Sequence, residues 1–66
     1  MNVIRYDKRE AYEYGIRGHP QDIINEFGME ILKWEEIEIA DCIMIEVDNI
    51  PAFLPIYIEI SNYKME

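Results

Sequence analysis

Three short runs in the second half of this chain place a β-branched residue at every second position. They cover residues 36–39, 43–47 and 56–60. Successive side chains of a β-strand point to opposite faces of the sheet, so this period of two predicts strands with one buried face. Glutamates occupy several of the intervening positions. We therefore expect a sheet with one apolar face and one acidic face.

The first half of the chain predicts a short strand followed by two short helices. The strand covers residues 2–7, and the first helix covers residues 8–14 with Asp7 as its N-cap. The second helix lies within residues 19–28, because a proline stands near its first turn and Gly28 follows its last turn. Neither helix is long enough to be stable alone, so both must pack against the sheet.

The second predicted helix has an apolar stripe formed by Ile23, Ile24 and Phe27. Their spacing places them on one side of the helix, and we expect this side to face the apolar surface of the sheet. Residues 29–35 fit a helical period as well as an extended one. A strand is favoured, because a glycine has just ended one helix and the alternation at residues 36–39 continues without a breaker.

These elements predict an α+β fold. It is a small antiparallel sheet, made of the N-terminal strand and a three-stranded C-terminal meander, with one or two short helices packed on one face. The connections are too short for parallel crossovers. Residues 1–66 are expected to form a single compact domain, with residues 62–66 as a frayed tail.

The small size of the chain predicts self-association. A chain of 66 residues buries only about 60% of the surface that its unfolded form exposes, and such chains often rely on disulfides, metals or a partner subunit. Cys42 is the only cysteine, so it is expected to be a small buried apolar residue. His19 and Cys42 do not supply the four ligands of a structural zinc site, so we expect no metal or cofactor. A homodimer is the remaining route.

The charge excludes several classes of function. The formal net charge is −8, from 6 basic and 14 acidic residues. This argues against direct binding to nucleic acid, whose phosphates require basic patches.

No apolar run approaches the length that spans a membrane, and the N-terminus does not resemble a signal peptide, so we expect a cytoplasmic protein without membrane contact.

The acidic face is the first candidate site. We expect it to consist of Glu36, Glu38, Glu46, Asp48 and Glu59. It is either a solvated surface or a surface that binds a basic partner. Carboxylates at every second residue of a strand are about 7 Å apart, which resembles the phosphate spacing of a nucleic-acid strand. Mimicry of DNA is therefore one hypothesis for its role.

An apolar loop is the second candidate site. Residues 50–55 contain two prolines and large apolar side chains where an exposed connection is predicted. The loop is either a lid over the core or a contact surface for a partner or second copy. The candidate contact residues are Phe53, Leu54 and Tyr57.

Catalysis is not expected. His19 has no nucleophile near it in sequence and is better explained as a helix cap. For acid–base catalysis, paired carboxylates need a pocket that raises the pKa of one of them, and a chain this short rarely encloses such a pocket.

The sequence therefore predicts a small acidic protein-interaction module, an inhibitor or regulator that engages a basic surface of another protein. In composition it is similar to phage and mobile-element accessory proteins. The alternative is a structural or assembly subunit stabilised by homo-oligomerisation.

Overall fold

The computed structural model describes residues 2–65 and contains a four-stranded antiparallel sheet with two short helices. This confirms the α+β class and shows that the ambiguous segment after the second helix is a strand. In chain order the elements are β1 (Val3–Asp7), α1 (Lys8–Glu13), α2 (Pro20–Glu26), β2 (Ile31–Ile37), a 3-10 helix (Glu38–Ala40), β3 (Cys42–Val47) and β4 (Ile58–Ser61).

The strand order is β2-β3-β1-β4, so the predicted C-terminal meander is wrong. The N-terminal strand β1 lies between β3 and β4 and pairs with both. The connection over residues 48–57 is longer than the 2–5 residues of an ordinary hairpin loop, so it can pass across one strand. The central position suits β1, because Val3 is buried on one face of the sheet while Ile4 and Tyr6 are buried on the other.

The larger core lies between the sheet and the two helices. Tyr6 contributes an aromatic contact there, because its ring meets the ring of Tyr57 edge-on with centroids 5.8 Å apart. Burial raises the pKa of Tyr6. The predicted apolar stripe of α2 packs into this core as expected, with Phe27 at its margin. The other main contributors are Ile4, Ala11, Ile23, Ile24, Ile43, Ile45, Val47 and Ile58.

A second, smaller cluster covers the opposite face of the sheet. It consists of Val3, Cys42, Met44 and Met65, with Ile37 packed against it. The prediction that the C-terminal tail frays is therefore wrong as far as residue 65, and residue 66 lies outside the described residues. The tail packs because β3 presents apolar side chains on both faces, and water must be excluded from both. The prediction that Cys42 is buried is confirmed.

Side-chain caps define the beginnings of both helices. Asp7 Oδ1 accepts the backbone N–H of Glu10 at 2.9 Å, and its Oδ2 accepts a hydrogen bond from Arg5 Nη1 at 2.9 Å. His19 Nδ1 accepts the backbone N–H of Gln21 at 3.1 Å. Both capping residues are the ones that the sequence predicts. Each accepts a hydrogen bond from a backbone N–H that has no partner within the first turn of the helix.

Candidate interaction surfaces

The predicted acidic residues do not share one face of the sheet. Glu36 lies opposite Ile43 in the strand register, which places it on the side of the helices. Glu46 and Glu59 lie opposite alternate residues of β1 whose side chains point to the other face. The expectation of one acidic face and one apolar face is therefore wrong, because the register divides these carboxylates between the two.

The remaining two predicted acidic residues lie outside the strands. Glu38 begins the 3-10 helix after β2, so Glu36 and Glu38 do not form a ladder of carboxylates along a strand. The chain turns here because Asp41, with φ of 53°, closes the connection to β3. Asp48 follows β3, where its Oδ1 accepts the backbone N–H groups of Glu30 and Asn49, each at 2.8 Å. These two acidic residues are thus at opposite ends of the β2–β3 pair.

The negative charge is nevertheless concentrated in the layer that contains the sheet. Residues 8–28, which contain both helices, have three bases and four acids, for a net charge of 3 − 4 = −1. All other residues have three bases and ten acids, for a net charge of 3 − 10 = −7; Glu66 lies outside the described residues, so residues 2–7 and 29–65 have a net charge of 3 − 9 = −6. The helical layer is therefore nearly neutral, and the sheet with its connections has nearly all the charge.

One lysine joins the two layers. Lys8, the first residue of α1, donates a hydrogen bond to Glu36 of β2, and its Nζ lies 3.7 Å from Asp41. The hydrogen bond to Glu36 is the main reason that the pKa of Lys8 is raised. These contacts hold the N-terminal end of α1 against the β2–β3 connection.

A groove of about 660 Å³ separates the helices from β2. Its walls include Tyr12, Arg17 and His19 on the helical side and Leu32 and Trp34 on the strand side. The guanidinium of Arg17 lies over the ring of Tyr12, 3.9 Å from its centroid, and donates to the Tyr12 carbonyl at 3.2 Å. The groove is thus aromatic and weakly basic, in contrast to the acidic sheet layer.

The outer side of the groove is an open strand edge. β2 is at one end of the strand order, and its side chains from residue 32 to residue 36 are all exposed. Leu32 and Trp34 each expose 57% of their surface. Sequence reasoning missed this surface. The available signal was the adjacent apolar pair at residues 31–32, which breaks strict alternation and coincides with the irregularity in register between Ile31 and Lys33.

The apolar loop acts partly as a lid and partly as an exposed surface. Leu54 and Ile50 pack against the larger core, whereas Phe53 is 85% exposed. Tyr57 is buried in the core beside Tyr6, so its ring is not available as a dimer contact. Of the three predicted contact residues, Phe53 alone presents most of its side chain to solvent.

Two further kinds of feature, metal-binding clusters and membrane-spanning helices, are absent from residues 2–65. Within residues 2–65, no group of three or more His, Cys, Asp or Glu side chains could hold a metal ion. No helix in the same part of the chain is long and apolar enough to cross a membrane. Comparison with protein-family models, with curated proteins and with solved structures gives no match to this chain.

Proposed function

We propose that this protein is a non-enzymatic interaction module, an inhibitor or regulator that acts in the cytoplasm by binding a basic surface of another protein. The observation that carries the proposal is the net charge of −7 outside the helical segment, against −1 within it. Charge separated in this way attracts a basic partner and orients it during encounter. The partner is therefore expected to approach the sheet layer and not the helices.

Two exposed glutamates, Glu35 and Glu59, set the width of the surface that we expect the basic partner to contact. Glu35, Met44, Arg5 and Glu59 are successive neighbours in the strand register, so they form one row across the sheet. The row ends in a carboxylate on each edge strand. Three strand spacings separate the two glutamates, which is about 14 Å. Basic groups at that separation on a partner can contact both ends of the row.

The proposal is tested with charge-neutralised variants. Affinity purification from a lysate identifies a candidate partner, which is then titrated with the native chain and with Glu35→Gln/Glu59→Gln. Affinity should fall about two- to fivefold for each neutralised carboxylate, as for exposed ion pairs. The affinity should also fall as salt is added, because exposed charges are screened.

The matched control, Glu13→Gln/Asp22→Asn, removes the same charge from the helices and should retain native affinity. Equal losses in both double variants, or binding that salt does not weaken, would refute the proposal.

The nature of the basic surface is a further outcome of this experiment. If it is a nucleic-acid cleft, the protein should compete with DNA or RNA for it, as the mimicry hypothesis requires. If the captured protein still binds its nucleic acid, mimicry is excluded and regulation at another basic surface remains.

A structural or assembly subunit is the second candidate function. It is favoured by the exposed apolar side chains, which include Leu32, Trp34, Ile39, Phe53 and Ile60. Leu32 and Trp34 both line the groove beside β2, and a large exposed apolar patch marks a site of association. Size-exclusion chromatography with light scattering measures this directly, and a monomer at all concentrations and salt levels would exclude it.

A further inference from the structure

The direction of the backbone groups along β2 determines what can pair with its open edge. The Val47 N–H donates to the Asn2 carbonyl, and the Asp48 N–H donates to the Glu30 carbonyl. Odd-numbered residues of β3 therefore bond to β1 and even-numbered residues bond to β2, as alternation in antiparallel pairs requires. Trp34 lies opposite the odd-numbered Ile45, so its N–H and C=O point away from β3. The same holds for Glu36.

We propose that two copies of this chain associate through the outer edge of β2, antiparallel and centred on Trp34, so that two four-stranded sheets become one sheet of eight strands. The inference does not depend on binding to a basic partner, and it gives the second candidate function, self-association, a defined surface and register. A residue with both backbone groups directed outward can exchange two hydrogen bonds with the same residue of a second copy across a two-fold axis.

The charges of β2 disfavour symmetric registers centred on residues 33, 35 and 36, and the irregularity in register between Ile31 and Lys33 interrupts regular pairing at Leu32. A symmetric pairing centred on Lys33 would oppose two lysines, and one centred on Glu35 or Glu36 would oppose two glutamates. Like charges directly opposite each other are destabilising in a sheet. Centring on Trp34 instead places Lys33 opposite Glu35 of the second copy, and the symmetry forms this pair twice. Charges usually protect a strand edge from pairing, but in this register they favour it.

The exposure of the central residue supports the same arrangement. Trp34 is 57% exposed in the single chain and is the only tryptophan in the protein. Tryptophan is enriched at the centre of protein interfaces, where its large ring is removed from water. In the proposed dimer the two Trp34 side chains lie opposite each other on the face above the groove. β4, the other edge strand, has four residues against seven in β2 and offers a shorter ladder.

The test combines sedimentation with tryptophan emission over a range of protein concentration. The native chain should show a dimer by sedimentation, with emission shifting to shorter wavelength as dimer forms. In the Glu35→Lys dimer, Lys33 of each copy would face the new lysine at position 35 of the other copy. In the Lys33→Glu dimer, the new glutamate at position 33 would face Glu35. Each single variant should therefore dimerise at least tenfold more weakly. An equimolar mixture of the two should form a 1:1 heterodimer, and the double variant Lys33→Glu/Glu35→Lys should dimerise like the native chain.

Controls separate the proposed contact from changes in folding. Glu13→Lys reverses the charge of an exposed residue on α1, away from β2, and should leave the native dimer unchanged. Circular dichroism establishes that each variant is folded. If Lys33→Glu does not fold, because Glu46 lies opposite it, Trp34→Lys replaces it and should be monomeric. A native chain that stays monomeric at about 1 mM, at the weak end of the affinity scale, would overturn the proposal. A dimer that persists in Glu35→Lys and Trp34→Lys would also overturn it, because association would then use another surface.

Discussion

The carboxylate of Asp7 connects the central strand to the first helix, and its removal should measurably weaken the fold. Its two oxygens accept from the Glu10 backbone N–H and from Arg5, each at 2.9 Å. Asp7→Ala removes both interactions. Asp7→Asn retains a side-chain oxygen that can cap α1 but loses the charge that faces Arg5. The two variants therefore separate the cap from the ion pair.

The expected loss follows from these two contacts. Replacing an N-cap aspartate by alanine costs about 1 kcal/mol. The ion pair adds less than about 1 kcal/mol, since the side chains of Arg5 and Asp7 are 31% and 18% exposed and water screens them. Asp7→Ala should thus lower the free energy of unfolding by about 1–2 kcal/mol, and Asp7→Asn by less than half as much. For a domain of this size 1 kcal/mol shifts Tm by about 4–8 °C.

The effect of Asp7 should depend on pH in a defined direction. The hydrogen bond from the Glu10 backbone lowers the pKa of Asp7, and Arg5 lowers it further against the opposing effect of burial. A lowered native pKa means that the unfolded chain binds the proton more readily. The stabilisation is therefore complete above the ordinary aspartate pKa of about 3.9 and is lost as the pH falls through the lowered value.

Denaturant unfolding followed by circular dichroism between pH 7 and pH 3 tests both expectations. The difference between the native chain and Asp7→Asn should be largest near neutral pH and should shrink at the acidic end, because asparagine does not titrate. The reasoning is refuted if Asp7→Ala is as stable as the native chain, or if the difference between the native chain and Asp7→Asn grows on acidification.

Three further substitutions examine the loop, the tail and a turn. Phe53→Ala should change the free energy of unfolding by less than about 0.5 kcal/mol, measured by thermal unfolding; a larger loss would mean that the ring packs on the core. Met65→Ala should destabilise by about 2 kcal/mol and should accelerate the reaction of Cys42 with a thiol reagent, whereas unchanged thiol reactivity would contradict the tail contact. Gly28→Ala should cost about 1–2 kcal/mol because φ there is +78°. Gly18→Ala, where an added Cβ makes only ordinary contacts, is the control and should be nearly neutral in the same denaturant titration.

The candidate surfaces depended on information that no local pattern contains. The alternation of apolar and acidic residues continues to Ile39, although the strand ends at Ile37 and a 3-10 helix follows. The pattern alone does not mark this end, because the position of β3 decides it. The predicted acidic face failed because the pairing of β2 with β3 places Glu36 on the helix side, whereas Glu46 and Glu59 point to the other face. The exposed edge at Trp34 is likewise a property of strand order, since a strand in the middle of a sheet has no free edge.

The sequence by itself determined the features that act over a few residues. The cap by Asp7, the cap by His19 and the turn at Gly28 were predictable because their hydrogen bonds and dihedral angles join near neighbours in the chain. The charge difference between residues 8–28 and the rest needs only a count of residues, but the structure defines which segment forms the helical layer. The tertiary structure alone decided that β1 is central and that Met65 covers the second face of the sheet. Those contacts join residues far apart in sequence, and they form because a strand with apolar side chains on both faces must be covered on both.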